Sequence, residues 1–311
     1  MKRIIIDTDV GTDDAVALIM ALRSPAVRVE AITTVSGNVP VGRATKNALI
    51  VLDLCGVDVP VFAGAAAPLR RPPHFAFHIH GATGLGDTHW PEPVKKPEEE
   101  NAVAALIRLA SQYRGELELV TLGPLTNIAL ALKQEPRLVK WIRTCTVMGG
   151  SIHGMGNVTP AAEYNIWSDP EAADIVLQSD LPIALVGWEL CTGDAALVQE
   201  ELDTLARDRS KLTRFVAEIN RFSIKVKAAL TGENKLNLPD PLAMAIAIDR
   251  SLCMKSSAHA VMVETDSELT RGVTVIDRHF QWKKNRNVEI CWQVDVKKWK
   301  ELLFELLKEQ A

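Results

Sequence analysis

The chain has 311 residues, of which 47% are hydrophobic and 24% charged, with 35 Lys and Arg against 39 Asp and Glu for a net charge of −4. These are the proportions of a globular protein with a sizeable core, and they exclude a disordered or collagen-like chain. The slight acid excess argues against nucleic acid or an anionic membrane as the main partner.

Short apolar runs alternate with helical patterns from the start. Residues 3–6 read as a buried strand, 14–23 as a helix, 28–35 as a strand and 42–54 as a helix. The alternation returns at 116–121 and 124–133, at 144–148 and 170–178, and at 183–187. Near-continuous apolar strands separated by helices predict a mainly parallel sheet covered on both faces, with right-handed crossovers. Residues 66–101 break the rhythm with prolines, a KKPEEE stretch, and three of the seven histidines within 74–80, so a long loop beside a site is expected there. Residues 196–230 read as helical, and strands are expected between about 258 and 294. Trp299, Leu302, Leu303, Leu306 and Leu307 fall at i, i+3, i+4, i+7 and i+8, the pattern of an amphipathic helix docked on a core. No repeat or linker marks a boundary, so residues 1–311 are expected to form one α/β domain.

The five cysteines are scattered and form no CxxC pair. That speaks against a disulfide framework or structural zinc and for a reducing compartment. The N-terminus has no signal-peptide core, and no apolar run approaches the roughly 18 residues of a membrane helix. A soluble cytoplasmic protein is the expectation.

The sharpest local feature is Asp7-Thr8-Asp9-Val10-Gly11-Thr12-Asp13-Asp14, four carboxylates in eight residues between a strand and a helix. Packed carboxylates raise one another's pKa unless a cation neutralises them, and all-oxygen ligands suit Ca²⁺ or Mg²⁺. Helix capping accounts for one or two of the four acids and leaves the others unexplained. An EF-hand is excluded by spacing, because Leu18 stands where that loop needs its bidentate Glu. The DxDxG run also resembles the haloacid-dehalogenase phosphotransferase motif, in which Asp7 would be a covalent nucleophile beside Mg²⁺.

Further polar stations lie downstream: Asn38 at the end of the second strand, HGATGLGD at 80–87, LGPLTN at 122–127, NVTPAAEYNIWSDP at 157–170 and LPDP at 238–241. In isolation each has an ordinary reading as a turn, a cap or a solvated loop. Taken together, in order, with DTDVGTDDA and AEYN, they resemble the nucleoside hydrolase family, the inosine-uridine preferring enzymes and their relatives.

The resemblance spans residue 4 to about 250. It implies a Rossmann-like domain that hydrolyses the N-glycosidic bond of ribonucleosides, with one Ca²⁺ per subunit (Mg²⁺ being second choice), a metal-held water, and a homodimer or homotetramer. By position, Asp9 matches the general base, which also touches the metal. Asp14 and Asp240 match side-chain ligands, and Leu122 matches a backbone carbonyl ligand. Asp13, Asn38, Asn157, Glu163 and Asn165 match residues that hold the ribose hydroxyls, and His80 lies on the loop over the base.

The chemistry agrees: cleaving C1′–N builds positive charge on the sugar, which anions stabilise, and a positioned base activates water. The chain departs from the pattern at Pro239, where the inosine-uridine branch has a His thought to assist departure of the base. Expected substitutes are His80, His78, His153, Trp167 and Trp188, with Trp188 placed to line the base pocket. A non-catalytic nucleoside or sugar binder is the second alternative.

Overall fold

The computed structural model describes residues 1–208, 210–286 and 288–308. Its centre is an eight-stranded sheet. Six strands come in alternation with helices: β1 (Lys2–Thr8), β2 (Val27–Thr34), β3 (Val61–Ala63), β4 (Leu117–Thr121), β5 (Ile142–Met148) and β6 (Ile183–Val186). The sheet order is β3-β2-β1-β4-β5-β6, continued by Val288–Val294 and Cys253–His259. Every neighbouring pair is parallel except the last, where Cys253–His259 runs antiparallel along the edge. The expected α/β architecture is therefore present, closed at one side by a reversed edge strand.

The order carries a functional consequence. The chain builds outward in one direction from β1 to β3, then returns to the other side of β1 with β4. Such a switch point leaves a crevice beyond the carboxyl ends of the two central strands, where α/β proteins place their ligands. Here those ends are followed by Asp9 and by Leu122.

Burial explains the strand composition. Ile4, Ile5 and Ile6 of β1 are fully buried, as expected for a central strand covered on both faces. β1 also runs past the expected end at residue 6 and takes Asp7 and Thr8 into the ladder. The first helix, α1 (Thr12–Arg23), starts two residues earlier than its pattern predicts, because Asp14 closes a capping interaction with the amide of Gly11 at 2.8 Å. The second, α2 (Val41–Cys55), ends at Gly56 in the left-handed region.

Three expectations need correction. The segment 66–101 is irregular but contains one helical turn, Phe77–His80. The stretch 196–230 is two helices, Gln199–Arg207 and the long helix Lys211–Thr231, preceded by a two-residue strand. The edge strand of the late β region begins at Cys253, five residues early, because its exposed Met254, Lys255, Ser256 and Ser257 do not read as a strand until the segment pairs with Val288–Val294. The final helix, Val296–Leu307, docks as expected: Trp299, Leu303, Leu306 and Leu307 are buried, and the Trp299 indole donates to the Ala195 carbonyl at 3.1 Å.

Candidate active site

A cavity of about 300 Å³ opens beyond the carboxyl ends of β1 and β4. Its floor is acidic. Carboxylate oxygens of Asp13, Asp14 and Asp240 lie within 4.8 Å of one another. Asp13 and Asp14 come from the first turn of α1, and Asp240 from the first turn of the helix Pro239–Ile248, whose Pro239 suits the N1 position. Two helix N-termini thus converge, and their partial positive charge offsets only part of this anionic load.

Asp9 lies beneath the cavity, fully buried. Its Oδ2 accepts the backbone N–H of Asn38 at 2.5 Å, while Oδ1 has no partner. The backbone makes room for it: a Cβ at Gly37 would stand 2.1 Å from Oδ2, and one at Gly123 2.6 Å from Oδ1. Burial, then the charges of Asp14 and Asp13, holds the Asp9 carboxyl well above its ordinary pKa. Asp240 is raised in the same way, by burial and then by Asp13, Asp14 and Asp9, while burial lifts Asp13 to about 6. Asp14 accepts from Gly11, from the Asn38 amide at 3.1 Å and from the Thr8 hydroxyl.

These residues fit a hard cation. The donors are all oxygen, and the buried Oδ1 atoms of Asp9 and Asp13 have no protein partner, which is costly unless something else satisfies them. The acid cluster can hold a metal ion.

Asp7 plays another part. It is fully buried beneath the floor, does not line the cavity, and its Oδ2 accepts from Thr33 at 2.6 Å and Asn127 at 2.8 Å. Burial lifts its carboxyl to about 7. A group so enclosed cannot attack a substrate, which removes the phosphotransferase reading. Asp7 instead ties β1, β2 and the helix Thr126–Gln134 together under the site.

The neutral polar stations form one wall. Asn165 donates its amide to the Leu122 carbonyl at 2.7 Å and to the Met148 carbonyl at 3.3 Å, leaving its own carbonyl oxygen for a ligand. Glu163 caps the helix Tyr164–Ser168 and also takes the Gly150 N–H at 2.9 Å, so the capping role and a cavity role coincide. Its carboxyl is nonetheless raised to about 7, because burial outweighs those three backbone donors. Asn157 accepts from Tyr164 N at 2.9 Å, which leaves its amide hydrogens free. His80 is buried; its Nδ1 accepts the Thr12 N–H at 3.1 Å, and burial lowers its pKa to about 4, so it is a neutral imidazole with its proton on Nε2.

All seven residues expected to bind substrate, Asp13, Asn38, His80, Asn157, Glu163, Asn165 and Trp188, line this cavity, as do Leu122 and Asp240. Asp9 and Asp14 sit under its surface. Of the expected helpers for base departure, His78 also lines it, whereas His153 faces Trp292 across a separate cavity and Trp167 stacks under Arg271. Several lining residues had no local signal. Met148 reads as an ordinary strand end, and Ser223, Lys227 and Thr231 belong to the exposed-looking face of the long helix. Among the described residues, no helix is long and apolar enough to cross a membrane.

Comparisons with known proteins agree with this geometry. Residues 4–301 match the family model described as inosine-uridine preferring nucleoside hydrolase. The chain is 36% identical to a probable uridine nucleosidase of Oryza sativa subsp. japonica, over 94% of this chain and 93% of that protein. It is 38% identical to a pyrimidine-specific ribonucleoside hydrolase, RihA, of Shewanella sp. (strain MR-7), covering 98% and 96%. Among solved structures, a plant nucleoside hydrolase superposes with a TM-score of 0.94 at 35% identity, covering 99% of each chain. A purine-preferring ribonucleoside hydrolase from Gardnerella vaginalis gives 0.92 at 31%, covering 98% of each. The chain belongs to the inosine-uridine preferring nucleoside hydrolase family and is a ribonucleoside hydrolase, an enzyme acting on N-glycosyl bonds.

Proposed function

We propose that this enzyme cleaves the C1′–N bond of a ribonucleoside with Asp9 as general base and Ca²⁺ held by Asp9, Asp14, Asp240 and the Leu122 carbonyl. The observation that carries this reading is the buried, partnerless Oδ1 of Asp9 beside three converging carboxylates. When bound, a hard divalent cation lowers the pKa of a water and anchors sugar hydroxyls. Calcium is preferred to magnesium because it accepts more oxygen ligands in less regular geometry. The chain's own residues supply the rest. An elevated pKa makes Asp9 a stronger proton acceptor, and the N–H of Asn38 fixes its orientation. Asp13 and the acids beneath it stabilise positive charge growing on the ribose. The free carbonyl of Asn165, the free amide of Asn157, Asn38 and Glu163 offer the mixed donors and acceptors that hydroxyls need. Trp188 and His80 face the base.

The same proposal takes residues 1–311 as one catalytic domain, supported by a site assembled from both the β1 end and the helix Pro239–Ile248. It places the enzyme in the cytoplasm, on the strength of its five free thiols, and in a homodimer or homotetramer, on family likeness alone. The test is release of free base from inosine, adenosine, uridine and cytidine, with Ca²⁺ or with EDTA. Release that requires the metal is expected; no release from any nucleoside by metal-loaded protein would sink the reading.

A further inference from the structure

We propose that Lys227 is the group that assists departure of the base, donating from its ammonium to an acceptor atom of the leaving heterocycle. This rests on the hydrolase reading above and assigns the side of the reaction that Asp9 cannot serve. Hydrolysis forms a C1′–O bond and breaks C1′–N, and the electron pair of the broken bond leaves with the base nitrogen. A heterocyclic anion is a poor leaving group, so a donor facing the base lowers the barrier.

The cavity lining joins two groups of residues. The acids and Asn165 form one; the other comes from the Phe77–His80 turn, Trp188, the end of the long helix and Lys235, Leu236, Asn237 and Pro239, and the two meet where His80 Nδ1 lies 3.8 Å from Asp13 Oδ1 and Ser223 Oγ 3.4 Å from Thr12 Oγ1. In this second group several donors are already committed: the Ser223 and Thr231 hydroxyls donate to the carbonyls of Ile79 and Lys227, and the Trp188 indole donates to the Met155 carbonyl. Pro239 has none, and His80 is a neutral imidazole. Lys227 is different. Ser223, Lys227, Leu230 and Thr231 fall at i, i+4, i+7 and i+8 of the long helix and all line the cavity, so one stripe of that helix forms its wall. The Lys227 ammonium donates to Asn237 Oδ1 at 2.8 Å, which orients it and leaves two N–H donors. Asn237 stands three residues before Asp240, so the segment that delivers an acid to the floor also holds this cation at the cavity. Partial burial lowers the Lys227 pKa; Lys235 lowers it further, while Glu233 and Cys191 raise it. An ammonium of reduced pKa gives up its proton more readily.

The proton balance closes. Asp9 gains a proton from water, the base gains one from Lys227, and exchange with solvent returns both side chains to their starting states. Asn237 is a positioning residue in this scheme.

The experiment compares inosine and uridine with p-nitrophenyl β-D-ribofuranoside, whose phenolate leaves without protonation. For Lys227→Met, the ratio of nucleoside to aryl-riboside kcat/KM should fall about 10²-fold or more, within the range of a lost general acid. Asn237→Ala should lower the same ratio by roughly 2- to 10-fold, the size of one hydrogen bond. If Lys227→Met does not fold, Lys227→Gln is read by the same ratio. An equal loss on both substrates would mark Lys227 as structural and overturn the proposal, as would an unchanged ratio, or a fall seen in Lys235→Met instead. Failure of the wild-type enzyme to cleave the aryl riboside and the nucleosides alike would strike the hydrolase reading itself.

Discussion

The acidic floor and the helix-built wall of the cavity are constructed on different principles. The floor comes from the ends of β1, β2 and β4 and two helix starts; its acids are buried and cross-tied by Asn38, Thr8, Thr33 and Asn127. The wall comes from one stripe of a long helix and a short connecting segment, half open to solvent, with Leu230 74% exposed. Water activation and charge stabilisation at the sugar need fixed groups on rigid elements, whereas contact with a variable base, even by a flexible proton donor such as Lys227, tolerates a looser surface. The floor therefore carries a standing cost in repulsion, and the wall carries almost none.

The largest test of this contrast is Asp9→Asn. It keeps an acceptor for the Asn38 N–H and removes the charge. We expect kcat to fall about 10²- to 10⁴-fold, the usual contribution of a general base. The melting temperature of metal-free protein should rise at alkaline pH, where the wild-type carboxyl is forced to ionise among buried acids. A near-normal kcat would refute the base assignment, and a lower Tm would refute the cost.

The second test is pH. In metal-free protein Asp7 and Glu163 titrate at about 7 and Asp13 at about 6, above ordinary values of 3.8 and 4.5. A carboxyl whose folded pKa is raised contributes stability that is full below its unfolded pKa and is lost as pH rises through the folded one. The Tm of EDTA-treated enzyme should therefore fall between about pH 4 and pH 8, and added Ca²⁺ should recover much of the loss by binding the folded state. A Tm that rises over this window would contradict the picture of a strained floor.

Smaller effects are expected on the wall away from Lys227. Trp188→Ala should raise KM for nucleosides about 5- to 100-fold, equivalent to the loss of one stacking contact, with no gain in metal-free Tm. Leu230→Ala should alter stability by no more than about 0.5 kcal/mol in denaturant melts, as for other exposed positions. If either change lowered metal affinity, the two regions would not be separable.

How much was legible in the sequence follows the same division. The floor's acids are nearly contiguous: one strand, one loop and one helix start bring Asp9, Asp13 and Asp14 together, so a local reading reaches them. Asn38 and Leu122 sit at strand ends that a parallel sheet must gather on one edge. Lys227 and Ser223 were invisible because their helix pattern reads as a solvated face, and only tertiary placement turns that face toward a cavity. The three-residue β3 and the Phe77–His80 turn are too short for periodicity to register. Strand Cys253–His259 was shortened because an edge strand need not be apolar.

The two glycines that crowd Asp9 have a consequence for engineering. With a side chain at residue 37 or 123 excluded by 2.1 and 2.6 Å approaches, the Asp9 carboxylate, the proposed general base, sits in a sleeve of bare backbone. Randomised libraries aimed at new nucleosides should yield no active clones with substitutions at those two codons, however stringent or relaxed the selection. Evolvability is then concentrated along Ser223, Leu230 and Thr231 around Lys227, so a few codons of one helix hold most of the freedom to change what the enzyme accepts.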